Sequence, residues 1–373
     1  MGTTLNEPTR TSAEPQLAGS IVALDLLRGL AAISVMLFHI RNASFVEYGA
    51  LPEQQKTIAI AVLFALSRLG SEAVLVFFVL SGFLVGGRLV HHVQAGTFVA
   101  QNYAIDRVTR IFLPLIPACL LTALLARLAL KTHVSVFVLL ANMTGLNEIL
   151  TPTLPANGPL WSLSYEIWFY ITGGSLAWFF VNRRSITAVC LIALSIAAFS
   201  VLNASFLIYW LFGALTYSLI GTRQAISLFV SGVLLAAVGI ASFELNLGSK
   251  LFTSTSYIPL EASRGLICIG TSLALPFLCG SGVERRLNAV RWFAGTIAGG
   301  SYTLYLVHYP ITSALSAVFP KSAVIDWESI AYFLARALLC VLATVVFYFC
   351  FERNTKTVRK WLRSVMAQGF QVS

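Results

Sequence analysis

Charge is what this sequence has least of. Asp, Glu, Lys and Arg together make up 11% of its 373 residues, against 57% for hydrophobic side chains. An average soluble domain is about one quarter charged, so a soluble enzyme is excluded. The six cysteines (Cys119, Cys190, Cys268, Cys279, Cys340, Cys350) all fall in apolar stretches and show no metal-ligand spacing. They read as small buried apolar residues, which argues against a metal centre and against a disulfide framework. A cleavable leader is not expected either. The first 20 residues are polar and irregular, and the apolar stretch after them lacks a small-residue cleavage site, so it stays as a helix. No repeat, low-complexity segment or long soluble domain interrupts the chain. Residues 1–20 read as a polar tail, 21–352 as the membrane domain and 353–373 as a basic tail.

What the sequence does have is apolar runs long enough for helices rather than barrel strands. They lie at about 21–40, 70–90, 108–130, 161–181, 186–202, 204–220, 225–243, 262–280, 292–315 and 328–350. The fold class expected is therefore an all-α membrane protein, a polytopic bundle of about ten transmembrane helices. The run at 57–68 is shorter and reads as interfacial or re-entrant. An even number of crossings puts both termini on one side. Most basic residues fall on that side, among them Arg88, Arg107, Arg110, Arg183, Arg184, Arg285, Arg286, Arg353 and Arg359. The opposite loops hold Arg41, Lys56, Arg68, Lys131, Lys250 and Lys321. The positive-inside rule then makes both termini cytoplasmic. It also accounts for the net charge of +10 without nucleic acid.

Within the spans the ionisable residues sort into two layers. Asp25, Arg28, Arg88, Asp106, Arg107 and Arg110 fall near the inner face; His39, Glu72, Glu166, Arg264, His308 and Arg336 fall toward the outer half. Such groups are costly in hydrocarbon and mark function by default. Guanidinium groups bind phosphate in a bidentate fork, so the inner layer suits a phosphorylated ligand. Histidine and glutamate suit proton transfer. Arg28 and His39 join the layers. They are eleven residues apart on one helix, within roughly 20° of one face and about 16 Å apart along the axis. The competing explanations are snorkelling arginines and satisfied helix–helix hydrogen bonds.

Local strings sharpen the pattern. VLVFFVLSGFL (74–84) breaks an aromatic run with Ser81-Gly82, a pair that lets two helices approach closely. WSLSYEIWFY (161–170) begins as an interfacial aromatic belt, which does not explain Glu166. In SYTLYLVHYP (301–310), Pro310 frees a backbone carbonyl beside His308. The loop 131–160, with its proline turns, is placed to cap an outward cavity, and Asn142, Asn147, Glu148 and Asn157 offer polar groups to an acceptor.

Together these strings resemble the acyltransferase-3 family of integral membrane acyltransferases. The resemblance rests on Arg28-x10-His39, the Phe-Phe-x-x-Ser-Gly-Phe string ending at Phe83, Arg107-x-x-Arg110-Ile-x-x-Pro114, Trp161-Ser-Leu-x-x-Glu166, and Ser301-Tyr-x-Leu-Tyr-x-x-His308-x-Pro310, in order over nearly the whole chain. It implies transfer of an acyl group, often acetyl, from cytosolic acyl-coenzyme A to a hydroxyl of a carbohydrate or glycolipid across the bacterial inner membrane. Acyl-coenzyme A would be a substrate, with no permanently bound cofactor and no metal. The resemblance implies that Arg28 and His39 are essential, with His39 nearest the chemistry, and that Arg107 and Arg110 help bind the donor. Arg88 joins these as a donor candidate; Glu166 and His308 are candidates to support His39. Ser81, Trp161, Tyr302, Arg264 and Arg336 are candidates for substrate contact. Ile105-Asp106 stands where many members carry further arginines. A fused periplasmic hydrolase-like domain is not expected. The alternative function is a transporter or flippase with a buried His/Glu/Arg relay.

Overall fold

The computed structural model describes residues 21–246 and 258–369. The expected tail 1–20, Lys250 and most of 244–261, the stretch between the seventh and eighth apolar runs that with 131–160 is expected to set acceptor selectivity, lie outside the described residues. Those described are helical apart from turns and isolated bridges. In chain order the helices are α1 Val22–Ser44, α2 Ile58–Leu66, α3 Gly70–Ser81, α4 Gly87–Gln94, α5 Ala100–Leu128, α6 Val136–Thr144, α7 Trp161–Val181 and α8 Ile186–Val201. They continue as α9 Ser205–Thr216, α10 Ala225–Asn246, α11 Leu260–Leu278, α12 Ser281–Leu287, α13 Arg291–Gly299, α14 Ser301–Ser316, α15 Trp327–Cys350 and α16 Thr355–Gly369.

All ten apolar runs fall on helices, but fewer are long and apolar enough to cross a membrane. Val22–Ser44, Ile58–Gln94, Ala100–Leu128, Ala225–Asn246 and Trp327–Met366 are. A sixth is added if Leu260–Leu278 and Ser281–Gly299, bent by 83°, count as one span. The others fall short for identifiable reasons. Helix α8, with 16 residues, rises only about 24 Å against a hydrocarbon layer of about 30 Å. Helix α7 has 21 residues but is diluted by Ser162, Ser164, Glu166 and several tyrosines and tryptophans.

Helix α1 is the axis of the bundle and packs against α3, α13, α14 and α15. The third apolar run begins at 108, yet its helix starts eight residues earlier at Ala100. Gln, Asn, Arg and Asp are tolerated in a helix, so polarity marks where apolar surface ends and not where the helix ends. Arg107 and Arg110 are thereby fixed on α5. The expected basic tail is likewise ordered as α16, whose Arg359 and Arg363 ion-pair with Asp106 at 3.2 and 2.8 Å. Of the cysteines, Cys190 and Cys350 are exposed while Cys119, Cys268 and Cys340 are buried.

Helices α3 and α4 are joined through a single π-helical stretch, Gly82–Gly86. There α3 crosses α9 so closely that a Cβ on Gly82 would strike the Trp210 carbonyl, and one on Gly213 the Val79 carbonyl. This is the close approach that Ser81-Gly82 foreshadows. Gly82→Ala must push two backbones apart, and a loss of about 1–3 kcal/mol is expected. Thermal unfolding in detergent checks it; a midpoint unchanged from wild type would show that the crossing tolerates a methyl group.

The loop 131–160 is ordered by its own asparagines. Asn142 donates to the Val138 and Pro152 carbonyls at 2.9 and 3.1 Å and accepts from Leu154 N at 3.0 Å. Asn147 donates to Leu160 O at 3.0 Å. Asn157 is fully buried and donates to Leu306 O at 3.1 Å. That carbonyl lies four residues before Pro310, which has no N–H to offer it. These asparagines staple the loop to backbone groups, and Glu148 alone of the four polar residues is exposed.

Candidate active site

Two cavities lie along α1. The first, about 410 Å³, is lined by Arg28 on α1, Arg88 on α4, Arg107 and Arg110 on α5, Glu166 and Tyr170 on α7, and Tyr302 on α14, with Asp25 and Ser81 also in its wall. Four guanidinium groups face two carboxylates, so its charge favours an anion. Arg28 stands 4.0 Å from Asp25. Arg107 lies over the rings of Tyr103 and Tyr170, 5.8 and 5.3 Å from their centroids, which orients the guanidinium without neutralising it. Arg110 lies 5.9 Å from the Tyr302 ring, whose hydroxyl is tied to Ile111 O at 3.2 Å. Asp106 lines neither cavity, being taken by α16. The Ile105-Asp106 departure therefore adds no negative charge to this wall.

A directed chain of hydrogen bonds ends on Glu166. Trp210 Nε1 donates to Ser81 Oγ at 3.2 Å, Ser81 Oγ to the Tyr170 hydroxyl at 3.1 Å, and that hydroxyl to Glu166 Oε1 at 2.5 Å. Each acceptor hydroxyl is the donor of the next bond, which polarises the chain toward the carboxylate. Glu166 and Tyr170 meet because they are four residues apart on α7.

The second cavity, about 340 Å³, is lined by His39, Phe38, Trp161, Phe206, Phe243, Arg264 and Tyr309, among others. His39 is half-buried, its ring 4.8 Å from that of Tyr309 and 5.4 Å from that of His308. His308 is fully buried behind it. Its Nδ1 donates to the Leu304 carbonyl at 2.9 Å, which leaves the lone pair of a neutral ring on Nε2. Arg264 pairs with Glu261 at 2.5 Å and lies near the Phe206 and Phe243 rings.

The spacing of Arg28 and His39 thus puts one in each cavity. Glu166, expected in the outer layer with His39, instead lines the arginine cavity with Ser81 and Tyr302. Trp161 and Arg264 line the His39 cavity. Arg336 lines neither: it is 1% exposed, donates to Ser44 Oγ at 2.7 Å and also to the Phe319 carbonyl, and ties the end of α1 to α15. Glu72 is buried on α3 and also lines neither cavity.

The matching family model, described as an acyltransferase domain (acyltransferase-3), covers residues 21–351. The chain belongs to the acyltransferase-3 family. It is an integral membrane acyltransferase, and both cavities lie within the matched region. No curated protein and no solved structure gives a significant match.

Sequence reasoning passed over two residues of this acyltransferase. Glu352 is buried in the 3-10 turn between α15 and α16, accepts from Thr303 N and Oγ1 at 3.1 and 2.5 Å, and lies 3.3 Å from Arg110. One acidic residue at the head of a basic segment was its signal. Tyr305, inside the string 301–310, lines both cavities.

Proposed function

We propose that this acyltransferase moves an acyl group, acetyl in the first place, from acyl-coenzyme A to a hydroxyl of a cell-surface or exported carbohydrate. In this reading the chain crosses the bacterial inner membrane ten times, with both termini and the arginine cavity on the cytoplasmic side. The observation that carries it is the pair of chemically unlike cavities at the two ends of α1: one rich in guanidinium groups, the other aromatic with a histidine in its wall.

Arg28, Arg88, Arg107 and Arg110 hold the donor's phosphates, the bidentate fork being suited to them. Ser81, Tyr302 and Glu166 bind the donor's polar groups beside them. The pantetheine arm, on the order of 15–20 Å, spans the roughly 16 Å from Arg28 to His39. The sugar ring of the acceptor packs its C–H faces on Trp161 and Phe206, with Arg264 at the rim. His39 takes the proton of the acceptor hydroxyl as its oxygen attacks the thioester carbonyl. The carbon–sulfur bond breaks, coenzyme A leaves as the thiolate, and the imidazolium returns the proton to sulfur. His308 supports His39 from behind through ring packing, as a positioning residue. Arg336 has a structural part in this scheme.

The test is direct. Membranes carrying the protein and given acetyl-labelled acetyl-coenzyme A are expected to incorporate label into a glycan or glycolipid fraction and to release free coenzyme A in equal amount. A correctly inserted protein that labels neither fraction would overturn the proposal.

A further inference from the structure

The linings of the two cavities have Val74 and Tyr305 in common among the described residues. An acyl group held in the arginine cavity must pass this shared wall to reach His39. We propose that Val74 and Tyr305 form the gate the acyl thioester crosses, and that the bulk of Val74 sets the acyl length the enzyme accepts. The gate rests on the acyl-transfer reading given above.

Both sides of the gate are stiff, which is what discrimination by size requires. The Tyr305 hydroxyl donates to the Pro159 carbonyl at 2.8 Å and lies 2.5 Å from Ser162 Oγ. Its ring is set against Phe77, centroid to centroid 6.1 Å, and against His308 at 5.9 Å. It cannot swing aside without breaking these contacts. Val74, the other residue common to both linings, is on α3, buried and β-branched, with a single strongly preferred rotamer in a helix. Tyr305 is three residues before His308 on α14, so the far side of the gate opens beside the histidine pair. A passage bounded by two such groups, as proposed, passes a short acyl chain and obstructs a longer one. Each methylene in an apolar site changes discrimination by about 10–200-fold.

The experiment compares acetyl-, propionyl-, butyryl- and hexanoyl-coenzyme A as donors to membranes carrying wild type, Val74→Ala and Val74→Ile. Coenzyme A binding to each purified protein is measured alongside. Val74→Ala is expected to raise butyryl transfer relative to acetyl by at least about tenfold, and Val74→Ile to lower propionyl transfer relative to acetyl by a similar factor. Coenzyme A affinity should stay within about twofold of wild type in both, because the arginines are untouched. Val74→Ile adds one methylene and guards against a variant that fails to fold. A chain-length profile unchanged in both variants overturns the gate and leaves acyl transfer standing. A wild-type protein that transfers none of the four acyl groups overturns the reading on which the gate rests.

Discussion

Replacing His39 with alanine is expected to lower acyl transfer by about 10²–10⁴-fold, the usual contribution of a positioned general base. Donor binding should hardly change. His39 lines the aromatic cavity, and all four arginines line the other. The expected signature is a collapse in kcat with a steady coenzyme A affinity, which a merely misfolded protein would not produce. His39→Gln separates a general base from a mere polar contact. It keeps a polar group of similar reach but removes the basic nitrogen, so it should be nearly as inactive as the alanine variant. Initial rates at saturating donor, beside a coenzyme A binding isotherm, measure both quantities. A His39→Ala protein within threefold of wild-type rate would remove this residue from the chemistry.

Arg110→Ala is expected to damage both stability and donor binding, and the two effects can be pulled apart. Glu352 is 2% exposed in its side chain, and Arg110 is the cation beside its Oε1, 3.3 Å away. Removing one partner of a fully buried pair costs about 3–5 kcal/mol; Arg110 is 36% exposed, so screening reduces this to roughly 1–3 kcal/mol. The lost phosphate contact should weaken donor binding by about 10–100-fold, as for a charge-assisted hydrogen bond. In the double variant Arg110→Ala, Glu352→Gln the stranded charge is gone, and an amide oxygen can still accept from Thr303. Its thermal stability should return most of the way to wild type, while coenzyme A affinity stays low. Recovery of donor affinity together with stability would mean that Arg110 acts only as a counter-ion.

Much of the site was legible because helical period and the cost of burying charge are local rules. The Arg28–His39 spacing on one apolar run implied one face and a known rise, and both residues line cavities at the ends of that run. Ser81-Gly82 foretold a tight helix crossing, since small residues alone allow it. The same cost rule did not reveal the partners of Arg336. A guanidinium within a span reads as functional when its partners are unknown, and here they are Ser44 and the Phe319 carbonyl, supplied from distant segments. The partners of Asn142, Asn147 and Asn157 were hidden in the same way, because the backbone groups they satisfy appear only in the folded loop. Glu166 was placed with His39 by its depth along α7. Depth does not say how far a cavity penetrates, and the arginine cavity reaches as deep as Ser162 and Glu166.

By itself the sequence determined the helical class, the membrane setting, the family and the two-ended character of the first helix. Each follows from composition, period or ordered motifs, properties that survive without knowing what packs against what. Only the tertiary structure decided that Asp106 is drawn off by α16, that Glu352 backs Arg110, that Glu166 ends a hydrogen-bond chain beside the arginines, and that Val74 and Tyr305 wall both cavities. Those are contacts between helices far apart in the chain. Apolar periodicity tells each helix which face to bury but not which partner it will meet there, so these pairings exist only once the bundle has closed.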